Sequence, residues 1–141
     1  MAGLNEVIAA LLPGEMATAV VAELDPATGG VVVASAGHLP VLHVASGTAA
    51  YVMEGRGPAL GVLDVADYRE ARVQLAGDDR LLLFSDGLIE RRGVDLARSL
   101  EELRDVVRSA PAEPHALLDA VLTRLNPPGS DDVTLVGIAR T

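Results

Sequence analysis

The chain has no cysteine, no tryptophan and no lysine, and all 11 of its basic residues are arginine. Without cysteine there are no disulfides, no thiolate zinc sites and no cysteine nucleophile, a composition that suits the cytoplasm. Without lysine there is neither Schiff-base chemistry nor a Walker-type phosphate loop. Bases are outnumbered by 20 acids, for a net charge of −9, so there is no electrostatic footprint for a nucleic-acid backbone. No apolar run reaches the roughly 18–20 residues that span a bilayer, and the N-terminus has no basic region of the signal-peptide kind. Aromatics are limited to Tyr51, Tyr68 and Phe84, so the core must be aliphatic. What is present is ample apolar content: half of the 141 residues are hydrophobic. That length suits a single domain over residues 1–141, able to bury roughly two-thirds of its unfolded surface.

Helical spacing of Leu4, Val7, Ile8, Leu11 and Leu12 predicts an amphipathic helix over 1–12, stopped by Pro13-Gly14. Strands are expected at 17–24 and 31–36, joined by the turn chemistry of Asp25-Pro26-Ala27-Thr28-Gly29-Gly30. Further strands are expected at 41–45, 49–53 and 68–75, and the segment 54–61 reads as a loop shaped by Gly57, Pro58 and Gly61 into a tight crossing. Residues 80–85 and 132–139 are apolar on both faces, as strands covered on both sides would be. Leu96, Leu100, Leu103 and Val107 predict a helix over 95–109. Leu117, Leu118, Val121, Leu122 and Leu125 predict another over 114–125, with Pro114 in its first turn. Helices segregated from a strand run argue an α+β fold, and two doubly buried strands argue two stacked antiparallel β-sheets with helices outside.

Chemistry can sit where two of these strands end. Asp86 follows the strand 80–85, with Gly87 next, and Asp131 and Asp132 open the strand 132–139. If the strands are antiparallel neighbours, Asp86 and Asp131 meet at one edge. Two carboxylates in proximity repel unless a proton or a cation intervenes. Oxygen donors without Cys or His favour Mg²⁺ or Mn²⁺. Equally, Asp-Gly is a common turn dipeptide, and surface acids are mostly solvated. His38, after a glycine at a strand break, suits a general acid, a phosphate contact or simply a turn. Arg91-Arg92 suits a phosphoryl contact or a solvated face. No serine stands in a Gly-x-Ser-x-Gly context, so a hydrolase nucleophile elbow is absent.

Taken in order, ATAVVAELDPATGG, SAGHLPVLHV, GPALGVLD, DRLLLFSDGLIERR and SDDVTLVGIAR resemble the SpoIIE/RsbU-type branch of the PPM (PP2C-like) serine/threonine protein phosphatases. The resemblance runs from about residue 1 to about residue 140 and implies a PP2C-like αββα sandwich. It implies hydrolysis of phosphoserine or phosphothreonine by a metal-bound water held between two Mn²⁺ or Mg²⁺ ions. It carries metal-ligand roles onto Asp86 and Asp131, with Asp132 as the fallback, and sets Gly87 and His38 near the site without ligating it. The substrate implied is a phosphorylated signalling protein of the anti-sigma-factor-antagonist type in bacterial partner switching. The family's earlier acidic motifs have no counterpart here, so the chain is expected to be the C-terminal part of such a domain. With the N-terminal part missing, it should be inactive alone, with open sheet edges suited to self-association or to an N-terminal partner segment. The alternative expectation is a non-catalytic binding or scaffold module of the same fold.

Overall fold

The computed structural model describes residues 1–45, 47–127 and 131–140. In chain order the elements are α1 (Ala2–Leu11), β1 (Ala19–Leu24), β2 (Gly30–Ala36), β3 (Leu42–Ala45), β4 (Thr48–Tyr51), β5 (Arg56–Gly57), β6 (Ala71–Gln74), β7 (Arg80–Phe84), a 3-10 turn (Asp86–Leu88), α2 (Leu96–Arg108), α3 (Pro114–Leu125) and β8 (Leu135–Ala139). Two sheets and three helices make an α+β protein. The chain forms two compact units, one of residues 1–40 and 52–74, the other of residues 41–51 and 75–141.

The first unit is built around β2. The β1–β2 hairpin keeps its antiparallel register from Ala19↔Ala36 to Leu24↔Val31. Its turn is closed by Asp25, whose Oδ1 accepts from the Ala27 amide at 2.9 Å and whose Oδ2 accepts from the Thr28 hydroxyl at 2.7 Å. The other edge of β2 is shared, by β6 antiparallel at Gly30–Val33 and by β5 parallel at Ser35–Ala36. The expected 54–61 loop therefore carries a short strand, and this sheet is not wholly antiparallel. Gly61 lies in the left-handed region at φ 78°, where a Cβ would overlap the Glu15 carbonyl oxygen, so the crossing there requires glycine.

The helix α1 forms where its periodicity predicts, but its apolar stripe is not buried: Leu4, Val7, Leu11 and Leu12 are all exposed. Its buried residue is Asn5. The Asn5 Nδ2 donates to the Leu63 carbonyl at 2.9 Å, and its Oδ1 accepts from the Gly61 amide at 2.9 Å and the Tyr68 hydroxyl at 3.3 Å. A polar pin, rather than an apolar seam, fixes α1 to the 61–68 segment.

The second unit holds the sheet β4-β3-β7-β8, antiparallel throughout. The interior strand β7 is covered as expected, with Leu81, Leu82 and Phe84 buried. Its partner β8 differs from expectation. It starts only at Leu135, and Val136 is 47% exposed. The physical reason is position: among the described residues β8 pairs with β7 alone, as the last strand in the order.

The helices α2 and α3 bury matched stripes at i, i+4 and i+8: Ser99, Leu103 and Val107 on one, Leu117, Val121 and Leu125 on the other. Ser99 takes the place expected for Leu100 and Leu96, because the line through Val107 and Leu103 continues to 99; Leu96 is 49% exposed. Asp95 caps α2 by accepting from the Ala97 amide at 2.8 Å, and Glu113 caps α3 ahead of Pro114. The Tyr51 hydroxyl donates to the Leu100 carbonyl at 2.6 Å, tying the end of β4 to α2. Burial pushes that hydroxyl's ionisation well above the usual tyrosine value, against a smaller opposing pull from Arg104, so it remains a donor.

Candidate metal centre

Strand pairing in the second unit determines where Asp86 and Asp131 fall. The β7–β8 ladder runs from Arg80↔Ala139 to Phe84↔Leu135, so the residues after Phe84 run beside those before Leu135. Ser85 extends the contact past the ladder. Its amide donates to the Thr134 carbonyl at 3.0 Å, its hydroxyl donates to the Asp132 carbonyl at 3.0 Å, and the Thr134 amide donates to that hydroxyl at 2.8 Å.

Gly87 then lies directly on the facing segment. A Cβ there would overlap the Asp132 carbonyl oxygen and stand 3.3 Å from the Asp131 carbonyl carbon. The approach of the two backbones requires glycine at this position. Asp86 opens the 3-10 turn, anchored below by Leu88 and Ile89, both fully buried. The Asp86 Oδ1 accepts from the Gly87 amide at 2.9 Å, and the Asp131 Oδ1 accepts from the Asp132 amide at 2.8 Å. Asp86, Asp131 and Asp132 are all exposed to solvent.

The segments bearing Asp86 and Asp131 are thus brought together on one unit. His38 belongs to the other. Its half-buried ring places Nδ1 3.3 Å from the Thr18 hydroxyl, and its carbonyl accepts from the Ser35 hydroxyl at 3.3 Å. Ser85, which staples the two acidic segments, carries no sequence signal beyond its place before Asp86. Its role emerges only once β7 and β8 are paired.

The donor chemistry fits a hard divalent cation in kind but not in number. Carboxylate and backbone oxygens are what Mg²⁺ and Mn²⁺ prefer. Among the described residues, however, no group of three or more His, Cys, Asp or Glu side chains is placed to hold a metal. Asp86 and Asp131 are two carboxylates on facing segments, fewer than such a group needs.

Comparison with known proteins gives the setting. The family described as Stage II sporulation protein E (SpoIIE) matches residues 1–141. A solved structure of the RsbU and RsbW domains of Rv1364c from Mycobacterium tuberculosis is 31% identical, with a TM-score of 0.80, over 96% of this chain and 41% of that one. The Mn-presoaked phosphatase domain of the cell fate determinant SpoIIE from Bacillus subtilis is 18% identical, with a TM-score of 0.73, over 95% of this chain and 61% of that one. The PPM Ser-Thr phosphatase MsPP from Mycobacterium smegmatis, solved with cacodylate, is 22% identical, with a TM-score of 0.65, over 97% of this chain and 69% of that one. The chain thus spans about two-fifths and three-fifths of the first two of these structures. No curated protein matches the chain. No helix among the described residues is long and apolar enough to cross a membrane. The family match over residues 1–141 leads to one assignment, with a PP2C-like fold beside it: the chain belongs to the family described as Stage II sporulation protein E (SpoIIE).

Proposed function

We propose that residues 1–141 are the C-terminal portion of a metal-dependent protein serine/threonine phosphatase domain, working in the cytoplasm on a phosphorylated signalling protein of the anti-sigma-factor-antagonist type. The observation that carries this reading is the stapling of Asp86-Gly87 to Asp131-Asp132 through Ser85. In it, Asp86 and Asp131 hold Mn²⁺ or Mg²⁺ from one side, and Asp132 supplies backbone contacts that position Asp131. When bound, the metal supplies an activated water and neutralises phosphoryl charge. The chain's own part is to bring two carboxylates onto facing segments just past a hydrogen-bonded pair of strands, which lowers the cost of organising them around a cation.

Two carboxylates are too few for a two-metal centre, so on this reading the 141 residues alone turn over little or no phosphoserine peptide. Exposed apolar residues of the first unit support association with another copy or with the early part of such a domain. That no third ligating side chain among the described residues is placed with these two favours a second reading, a non-catalytic scaffold of the same fold. Calorimetric titration of Mn²⁺ separates the two. The phosphatase reading expects weak binding that Asp86→Asn removes; a wild-type chain that takes up no Mn²⁺ favours the scaffold.

A further inference from the structure

Just beyond the stapled segments, residues 89–94, Leu96 and Asp131 line a cleft of about 600 Å³. That volume lies within the range of small-ligand sites, roughly 300–1,000 Å³. Its floor includes the buried Ile89, and its wall carries two adjacent guanidinium groups, Arg91 and Arg92. In a chain of net charge −9, this cleft sets two adjacent guanidinium groups beside two carboxylates, Glu90 and Asp131.

The two arginines are not equivalent. Arg91 is committed within the fold: its guanidinium pairs with Glu102 of α2 at 2.5 Å, and its Nε is buried without a hydrogen-bond partner. It fastens the 89–96 stretch to the helix. Arg92 is exposed and takes part in no ion pair among the described residues. Its planar donor fork therefore remains available, and that fork matches the oxygens of a phosphoryl group better than a lysine ammonium does.

We infer that Arg92 is a substrate-binding residue that receives the phosphoryl group of a phosphoserine peptide in this cleft. The inference rests on the phosphatase reading for the choice of ligand, but not on metal binding. Asp131 and Glu90 line the same cleft, so without a cation their carboxylates repel a phosphoryl dianion that Arg92 attracts. Phosphopeptide affinity should then respond in opposite directions to Arg92 and to Asp131.

Fluorescence anisotropy of a labelled phosphoserine peptide, with its unphosphorylated twin as reference, tests this on the 141-residue chain in metal-free, low-salt buffer. The wild type is expected to prefer the phosphopeptide. Arg92→Gln should lose that preference by about tenfold, the loss of one charge-assisted fork. Arg92→Lys should fall between. Arg69→Gln removes an exposed charge in the other unit and should change nothing. Asp131→Asn should tighten phosphopeptide binding. The inference is overturned if the wild type shows no preference, if Arg92→Gln binds as the wild type does, if Arg69→Gln loses as much as Arg92→Gln, or if Asp131→Asn weakens binding. A chain that ignores Mn²⁺ yet loses phosphopeptide with Arg92→Gln would end the metal assignment and leave the arginine site standing. Mn²⁺ binding with an indifferent Arg92→Gln would do the reverse.

Discussion

Among the described residues, fourteen of the nineteen buried apolar residues lie in the unit formed by 41–51 and 75–141, and eleven of the fifteen exposed large ones lie in the unit formed by 1–40 and 52–74. Both units draw on the same aliphatic alphabet, so composition does not explain the split. The second unit has two helices with aligned stripes, and α2 and α3 pack on each other and on its sheet. The first has one helix, whose buried contact is the amide of Asn5. An apolar stripe becomes core only where a second apolar surface meets it, and the described residues supply that surface on one side only. The segments that carry Asp86 and Asp131 stand on the better-packed unit.

The largest effect should come from truncating one leucine in each unit. Leu82 is fully buried on β7, paired with Leu42 on one side and Gly137 on the other. Leu82→Ala should cost about 2–5 kcal/mol, transfer and cavity together. Leu11, 73% exposed on α1, should cost no more than about 0.5 kcal/mol on the same change. Urea denaturation of both variants measures the difference. Equal losses would mean that the stripe of α1 is core after all.

A smaller and more local effect should follow Asn5→Ala. The change leaves the half-buried Gly61 amide and the Leu63 carbonyl without their partner, a loss of about 1 kcal/mol for each bond. Amide exchange should quicken at Gly61 while the Leu81–Phe84 amides keep their protection. Parallel loss at both places would show that the two units open together and that the contrast in packing has no counterpart in stability.

The elements that could be read from the sequence are those set by local chemistry. The β1–β2 hairpin follows from Asp25, Thr28 and Gly29, and α2 and α3 follow from their leucine and valine spacing and from Pro114, while the Asp95 cap and the left-handed Asn126 at φ 43° mark their ends in the structure. What could not be read depends on neighbours. Nothing in Leu4, Val7 and Leu11 says whether a partner surface exists, and nothing in Val136 says that β8 has only one neighbour. Two residues at Arg56–Gly57 are too few to show a periodicity, so β5 was invisible. At the candidate site, the nearness of the segments after 84 and before 135 was legible, since two apolar strands ending in acids suggest pairing. The hydroxyl bridge of Ser85 was not, because its partners are backbone groups 47 and 49 residues away.

The smallest expected effect sharpens the contrast at the helix ends. Both helices of the second unit start on a carboxylate cap, Asp95 and Glu113, whereas Met1 gives α1 no side-chain cap. Glu113 accepts from the Ala116 amide at 2.7 Å and the His115 amide at 3.0 Å. The Ala116 bond, then the His115 bond, holds its carboxyl below the usual carboxylate range, since both favour the charged form. A group whose folded-state value is depressed contributes stability above its unfolded value, and that contribution disappears as pH falls through the folded value. Glu113→Ala should therefore lower the urea midpoint near neutral pH. The wild-type and variant curves should converge as the pH drops below the ordinary carboxylate range, because the protonated acid no longer offers the helix a charge. Curves that stay parallel through that range would reduce the cap to geometry alone, and α3 would then owe its start to Pro114 and to the burial of Leu117.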